Sequence, residues 1–342
     1  MVRRLRVITN SEMTVRRRCP REHHLSYELG YRAIEDAEAL RFGTMWHVGL
    51  ELWWQGVELD QLVAAAQQNA ADEFEAAKVA VLLRGYDARW SDARGSYDVA
   101  GVEREFRAPL VNPESGAASR TFELGGKIDV LFRRSFMEHK TTSQEIGVGS
   151  TYWRKLTLDP QISTYYAGAK ALGHEVESCV YDVVRKPSLR PSHVPLKDSD
   201  GLKIVLDSSG NRVRTKDGKK WRESADSAQG YVLQTRAETV EEYDTRLTEE
   251  IASSPEKYYQ RGEIVRLEAD EREAALDAWQ MARSIREAEL ASGWPRNPDA
   301  CERYGRVCGF FDVCCGTASL DDAHRFKRLE NVHQELSADA AE

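Results

Sequence analysis

Between residues 100 and 184 the apolar residues change their period twice, and this change constrains the fold more than any other feature. Val102, Phe106, Ala108 and Leu110 share a period-two register, as do Ile128, Val130 and Phe132, so alternate side chains meet one face of a sheet. Pro113 to Gly116 and Arg133 to Ser135 supply turns, which gives three antiparallel strands over residues 100–140. Asp159-Pro160 then opens a helix with a cap and a first-turn proline, Gly173 closes it, and Val176 to Val184 reads as a buried strand. Strands, helix, strand is an α/β core.

The flanks are mainly helical. Ser11 is the expected cap of a short helix that Cys19-Pro20 interrupts. A second helix is expected from Arg32 to Trp54, with Leu40, Met45, Trp46, Gly49, Leu50 and Trp53 on its buried face, and a third, a surface helix, from Asp60 to Leu83. After the core, Pro187, Pro191 and Pro195 and strand candidates near Ile204 and Tyr231 suggest a basic β-hairpin insertion. Helices follow over 238–252 and 268–291, and the tail after Ala318 is polar and expected to be loosely held. The chain of 342 residues thus divides into an N-terminal helical segment (1–98), a core (99–184), the insertion (185–236), C-terminal helices (237–318) and a polar tail (319–342).

An apolar fraction of 41% suits a sizeable core, and no apolar run is long enough to span a bilayer. The arginine-rich N-terminus has no apolar stretch behind it, so a cytoplasmic protein without a membrane partner is expected. Net charge is −8, yet the charges are segregated. Residues 1–32 hold eight arginines against three glutamates, and residues 185–222 hold eleven lysines and arginines against four aspartates. Residues 238–290 reverse the balance, fifteen acidic to seven basic. The basic stretches are either solvated faces or a surface for phosphates.

The segment GGKIDVLFRRSFMEHKTT, Gly125 to Thr142, carries the chemistry. Glu138 and Lys140, two apart on a strand, project together, and a hairpin partner can bring Asp129 opposite them. Converging carboxylates repel unless a divalent cation sits between them, and a lysine beside that cation can orient water or stabilise charge on a phosphate. Taken alone, these residues fit a surface hairpin as well as a site.

Asp129…Glu138-His139-Lys140 resembles the signature of the PD-(D/E)xK nuclease superfamily. Gly43-Thr44-Met45-Trp46-His47 is similar to the Gly-x-x-x-His element of its RecB-like branch, and Gln161 to Tyr165 to the Gln-x-x-x-Tyr element. The resemblance implies a restriction-endonuclease-like core and catalytic roles for Asp129, Glu138, Lys140, Gln161 and Tyr165. It also implies that His47, Asp129, Glu138 and the backbone carbonyl of His139 hold Mg²⁺ or Mn²⁺. His47 could instead be a core histidine among Trp46, Leu50 and Trp53, and Gln161 and Tyr165 ordinary packing residues. Glu51 shares the face of His47, and either Glu103 or Glu105 could turn to the cation, although a solvated strand face is the simpler expectation.

Six cysteines in an intracellular chain point to metal before disulfides. Cys301, Cys308 and Cys314, with Cys315 adjacent, follow the last helix, and Cys19 precedes Pro20 far upstream. This arrangement resembles the iron–sulfur cluster of AddB-type and CRISPR-associated RecB-like nucleases, which implies a [4Fe–4S] cluster on Cys19, Cys301, Cys308 and Cys314. The gap of six residues between Cys301 and Cys308 departs from the two of the AddB pattern. Structural zinc and Cys315 therefore stay open as alternatives. Cys179, in an apolar strand, is expected in the core.

The implied activity is metal-dependent hydrolysis of DNA phosphodiester bonds leaving 5′ phosphates. No P-loop motif occurs, so the expectation is a stand-alone exonuclease acting on single- or double-stranded DNA ends in recombination, replication or repair, like viral and CRISPR-adaptation nucleases. A recombination or helicase protein is the partner to expect. The alternatives are a structure-specific endonuclease or nickase, and a DNA-end-binding subunit of a larger complex. Lys216, Lys219, Lys220, Trp221 and Arg222 of the insertion are the expected DNA contacts, Trp221 by stacking on an unpaired base.

Overall fold

The computed structural model describes residues 5–34, 38–303 and 305–336. Strand β1 (Arg6–Thr9) leads into helix α1 (Asn10–Arg18). The cap of α1 is Thr9, not Ser11: Thr9 keeps the extended backbone that a cap needs, and its hydroxyl accepts from the Glu12 N–H. Cys19 separates α1 from α2 (Pro20–His23), which runs into a π-turn over His24–Glu28. Strand β2 (Tyr31–Ala33) occupies the start of the helix expected at Arg32, and α3 runs from Glu38 to Trp54.

The surface helix expected over 60–83 is two helices, α4 (Leu59–Gln67) and α5 (Glu73–Arg94), and α5 is largely buried. Asp72 breaks the run by capping α5 on the Glu75 N–H at 2.7 Å. Gly49 of α3 explains the burial: a Cβ there would stand 2.7 Å from the Leu83 methyls, so glycine lets α5 close on α3.

The strands of the core follow as expected: β3 (Val99–Val111), β4 (Ala118–Phe132) and β5 (Ser135–Thr142). Asp129 lies within β4. Helices α6 (Thr151–Leu156) and α7 (Pro160–Ala171, capped by Asp159) lead to β6 (Ser178–Arg185). The basic segment forms short antiparallel pairs, β7 (His193–Pro195) with β10 (Thr235–Ala237) and β8 (Val205–Leu206) with β9 (Val232–Leu233). Helix α8 (Val240–Ser253) then precedes β11 (Tyr259–Ile264), and α9 (Glu268–Ala291) follows it. Hairpin β12–β13 (Glu302–Arg303 and Arg306–Val307), helix α10 (Phe311–Cys315) and β14 (Phe326–Arg328) finish the chain.

β3 pairs antiparallel along one side of β4. On the other side of β4, β1 pairs in parallel with Phe122 to Gly125, and β5 pairs antiparallel with Val130 and Leu131. β6 lies parallel to β5, and β11 antiparallel to β6 closes the sheet. Among the described residues, no strand pairs with residues 126–129 on the β1/β5 side. The sheet opens a cleft there.

One core packs α3, α4, α5 and α8 on the sheet around Trp46, Trp53, Leu82 and Tyr243. A second, around Phe106, Phe136, Ile162 and Ile285, packs α7 and α9 on the opposite face and includes Cys179. The tail is not loose as far as Leu336: β14 pairs with β2, and Leu336 is buried beside Gly125.

Candidate active site

Asp129, Glu138 and Lys140 meet in the cleft where β4 and β5 part, in a cavity of about 450 Å³. There the Asp129 carboxylate takes the place of a ladder bond, its Oδ2 accepting from the backbone N–H of His139 at 2.7 Å. Glu138 is 2% exposed. Its Oε1 accepts from Lys140 Nζ and, at 2.9 Å, from Gln161 Nε2, while its Oε2 is buried without a partner. An orphaned carboxylate oxygen is costly and fits a cation ligand.

Helix α7 supplies the rest. Gln161 Oε1 accepts from Lys140 Nζ at 2.9 Å, and Gln161 Nε2 also reaches the Tyr165 hydroxyl at 2.8 Å. One turn of helix separates Gln161 from Tyr165, so both face the cleft. Burial and the Asp129 charge push the Glu138 carboxyl up to about 8, even against Lys140. Burial works against the Lys140 ammonium, but the Glu138 and Asp129 carboxylates outweigh it and hold the lysine protonated. The unpartnered oxygen and the raised carboxyl both describe a site short of one positive charge.

His47 enters from α3 on the opposite wall, with Nδ1 3.8 Å from Asp129 Oδ2, too far for a hydrogen bond and near enough for one cation to touch both. Burial lowers its basicity, against the Asp129 charge, which favours the neutral ring that ligates metals. The third member of this group is Glu103 of β3, whose carboxylate lies with His47 and Asp129 within 4.8 Å. The simpler expectation, a solvated strand face, fails for Glu103. A left-handed φ of 50° at Glu103, opposite Asp129 in the ladder, is a backbone strain that a periodicity argument does not see. Glu51 lines the same cavity, one turn from His47.

His139 points the other way along β5. Its Nδ1 lies 2.9 Å from Asp182 Oδ2, and its Nε2 accepts from the Trp54 indole at 3.1 Å. The Tyr86 hydroxyl and Arg261 complete a buried polar set on Asp182. This set braces β5 and β6 behind the cleft, and it was missed because its members lie far apart in sequence.

The family model described as the PD-(D/E)XK nuclease superfamily matches residues 8–315. The chain belongs to this superfamily. No curated protein matches the sequence. As a PD-(D/E)XK nuclease it is a metal-dependent hydrolase with DNA as its substrate class, and His47, Glu103 and Asp129 can hold the cation. Among the described residues, no helix is long and apolar enough to cross a membrane.

Two further groups lie outside the cleft of the nuclease. Cys19, Cys301, Cys308 and Cys314 line one small cavity, while Cys315 is exposed and outside it. Burial, then the Glu22 carboxylate and, behind it, the thiols Cys314 and Cys19 push the Cys308 thiol up to about 11. Around them the chain ends are laced together: Arg21 N–H donates to Pro295 O, Arg21 Nε to Trp294 O, and Asn297 Nδ2 to Arg18 O. In the basic segment, the Trp221 ring carries the guanidiniums of Arg212 and Arg214 at 4.5 and 4.3 Å, and Arg222 pairs with Asp226. An unpaired base would have to displace those arginines to stack on Trp221. Lys216, Lys219 and Lys220 are exposed beside it.

Proposed function

We propose that the protein is an exonuclease that hydrolyses phosphodiester bonds at DNA ends in recombination, replication or repair, and that a [4Fe–4S] cluster on Cys19, Cys301, Cys308 and Cys314 clamps its two chain ends. The observation that carries the exonuclease reading is the cleft itself. Its volume of about 450 Å³, walled by α3 on one side and by Gln334 and Glu335 of the tail on another, suits a nucleotide of one strand and supports this reading. An end or an unpaired strand is what such a cleft admits.

The residues divide the work. Asp129, His47, Glu138 and the backbone carbonyl of His139, with Glu103, would hold Mg²⁺ or Mn²⁺; the grouping of His47, Glu103 and Asp129 and the unpartnered Oε2 of Glu138 support this reading. A cation bound there lowers the pKa of water and shares charge with a phosphate oxygen. Lys140, held by Glu138 and Gln161, would orient the attacking water or offset the charge growing on the phosphate. Gln161 and Tyr165 keep that lysine from swinging out of the cleft. Lys216, Lys219, Lys220 and Arg222 are proposed to track the phosphate backbone away from the reacting bond.

Single- and double-stranded DNA labelled at the 5′ or 3′ end and digested with Mg²⁺ or Mn²⁺ tests this. Release of mononucleotides or short oligonucleotides from one end is expected. Cuts in covalently closed circles would make the protein an endonuclease or nickase. Tight binding to ends with no cleavage would make it the end-binding subunit of a recombination complex.

A further inference from the structure

Lys127 stands two residues before Asp129 on β4, so both side chains leave the same face of the strand. Its ammonium is paired with Glu103, the strained residue that completes the cation group. The partner directly opposite Lys127 across the ladder is Glu105, so the lysine reaches diagonally toward the metal group. Both Lys127 and Glu103 line the cleft, with a third of the lysine side chain exposed to it. The cavity carries the carboxylates of Glu51, Glu103, Asp129, Glu138 and Glu335 against two ammoniums, Lys127 and Lys140. Lys140 is committed to Glu138 and Gln161.

We propose that Lys127 is the counter-ion of Glu103 in the metal-free site, and that a cation taking this carboxylate frees the lysine to hold a phosphate of the DNA strand. The inference rests on the cation-dependent reading above. It gives the site an order: the metal arrives, Glu103 changes partner, and the strand then meets a lysine it could not use before. No bond is made or broken, and only an ion pair is exchanged.

Mn²⁺ titrations of the purified full-length protein, followed by electron paramagnetic resonance without DNA, test the first half. Lys127→Met should bind Mn²⁺ about twofold to fivefold more tightly than wild type, the range expected for removing one partly exposed ion pair. The same change made on Glu103→Gln should have no effect on Mn²⁺ affinity, because the competitor has lost its carboxylate. Equal tightening in both backgrounds would reduce Lys127 to a general repulsive charge and overturn the proposal. Lys127→Gln gives the same reading if the methionine variant does not fold. The second half is read from single-stranded oligonucleotide binding with Ca²⁺ in place of Mg²⁺. The affinity gained on adding Ca²⁺ should shrink at least threefold in Lys127→Met and be retained in Lys127→Arg, and an equal gain in all three proteins would overturn it. Wild-type protein that neither binds Mn²⁺ nor cleaves DNA would instead remove the nuclease mechanism beneath the proposal.

Discussion

Asp129 has two tasks that substitution can separate. It is placed to hold a cation, and its Oδ2 satisfies the buried N–H of His139. Asp129→Asn keeps an acceptor oxygen and should lower cleavage about a hundredfold or more at near-wild-type stability. Asp129→Ala should lose as much activity and, in addition, about 1–3 kcal/mol of stability for the orphaned N–H, read by denaturant unfolding. Lys140→Ala should also abolish cleavage while leaving most DNA binding, which comes from many backbone contacts. Glu138 predicts a pH effect of definite sign. Its folded pKa is raised to about 8, so its contribution to stability is complete below the ordinary carboxylate value near 4.5 and is lost as pH rises through 8. In metal-free protein, the stability of wild type relative to Glu138→Gln should therefore fall between pH 5 and 8 by up to about 1 kcal/mol per pH unit, and Mg²⁺ should restore it only in wild type. Strand alternation placed Glu138 beside Lys140 in the sequence, but only the resemblance to the nuclease superfamily set Asp129, Glu138 and Lys140 apart from a surface hairpin. Glu103 could not be singled out in this way, since its conformation depends on a positive φ that no spacing records.

At the scale of elements, α7 must lie close to the sheet for Gln161 to reach Lys140, and two glycines allow it. A Cβ on Gly168 of α7 would stand 2.6 Å from the Phe106 ring, and one on Gly126 of β4 would stand 2.7 Å from the same ring. Phe106 is therefore gripped between helix and strand. Gly168→Ala should force α7 outward, costing about 1–3 kcal/mol and weakening the Gln161–Lys140 contact, so that unfolding midpoint and cleavage rate fall together. An unchanged midpoint would show that the ring can yield. The long strands β3, β4 and β5 and helix α7 could be read from periodicity and caps, because each buries one regular face. β1 and β11 could not, since four or six residues at a sheet edge carry too little pattern to separate them from loops. The burial of α5 was equally hidden, because it comes from packing between α3 and α8 and not from an apolar stripe of its own.

Across the whole molecule, the two ends of the chain are brought together on one side of the nuclease core. Glu28 joins them, accepting from the Trp294 indole at 3.0 Å and from His24, while His24 stacks on Trp294. Cys19 sits beside this clasp, at the junction of α1 and α2, and faces Cys301, Cys308 and Cys314 across their small cavity. The spacing of these cysteines was legible, and all six are free of disulfides in the structure. Which of two adjacent cysteines turns inward was not, because it is set by the last turn of α10. If the four thiolates hold a [4Fe–4S] cluster, protein purified without oxygen should be brown and contain about four irons per chain, whereas a zinc site would be colourless with one metal. Ligands on both sides of the core make metal affinity part of folding free energy. Cys19→Ala should therefore lower the unfolding temperature of the entire protein and release the iron. Cys315→Ala, which alters an exposed residue, should leave colour and stability unchanged, and Cys179→Ala should cost only the packing of a small core side chain. A colourless wild-type protein whose stability survives the loss of Cys19 would remove the cluster and leave the clasp at Glu28 and Trp294 to hold the ends. The cleft would be untouched by that result, since none of its residues lines the cysteine cavity.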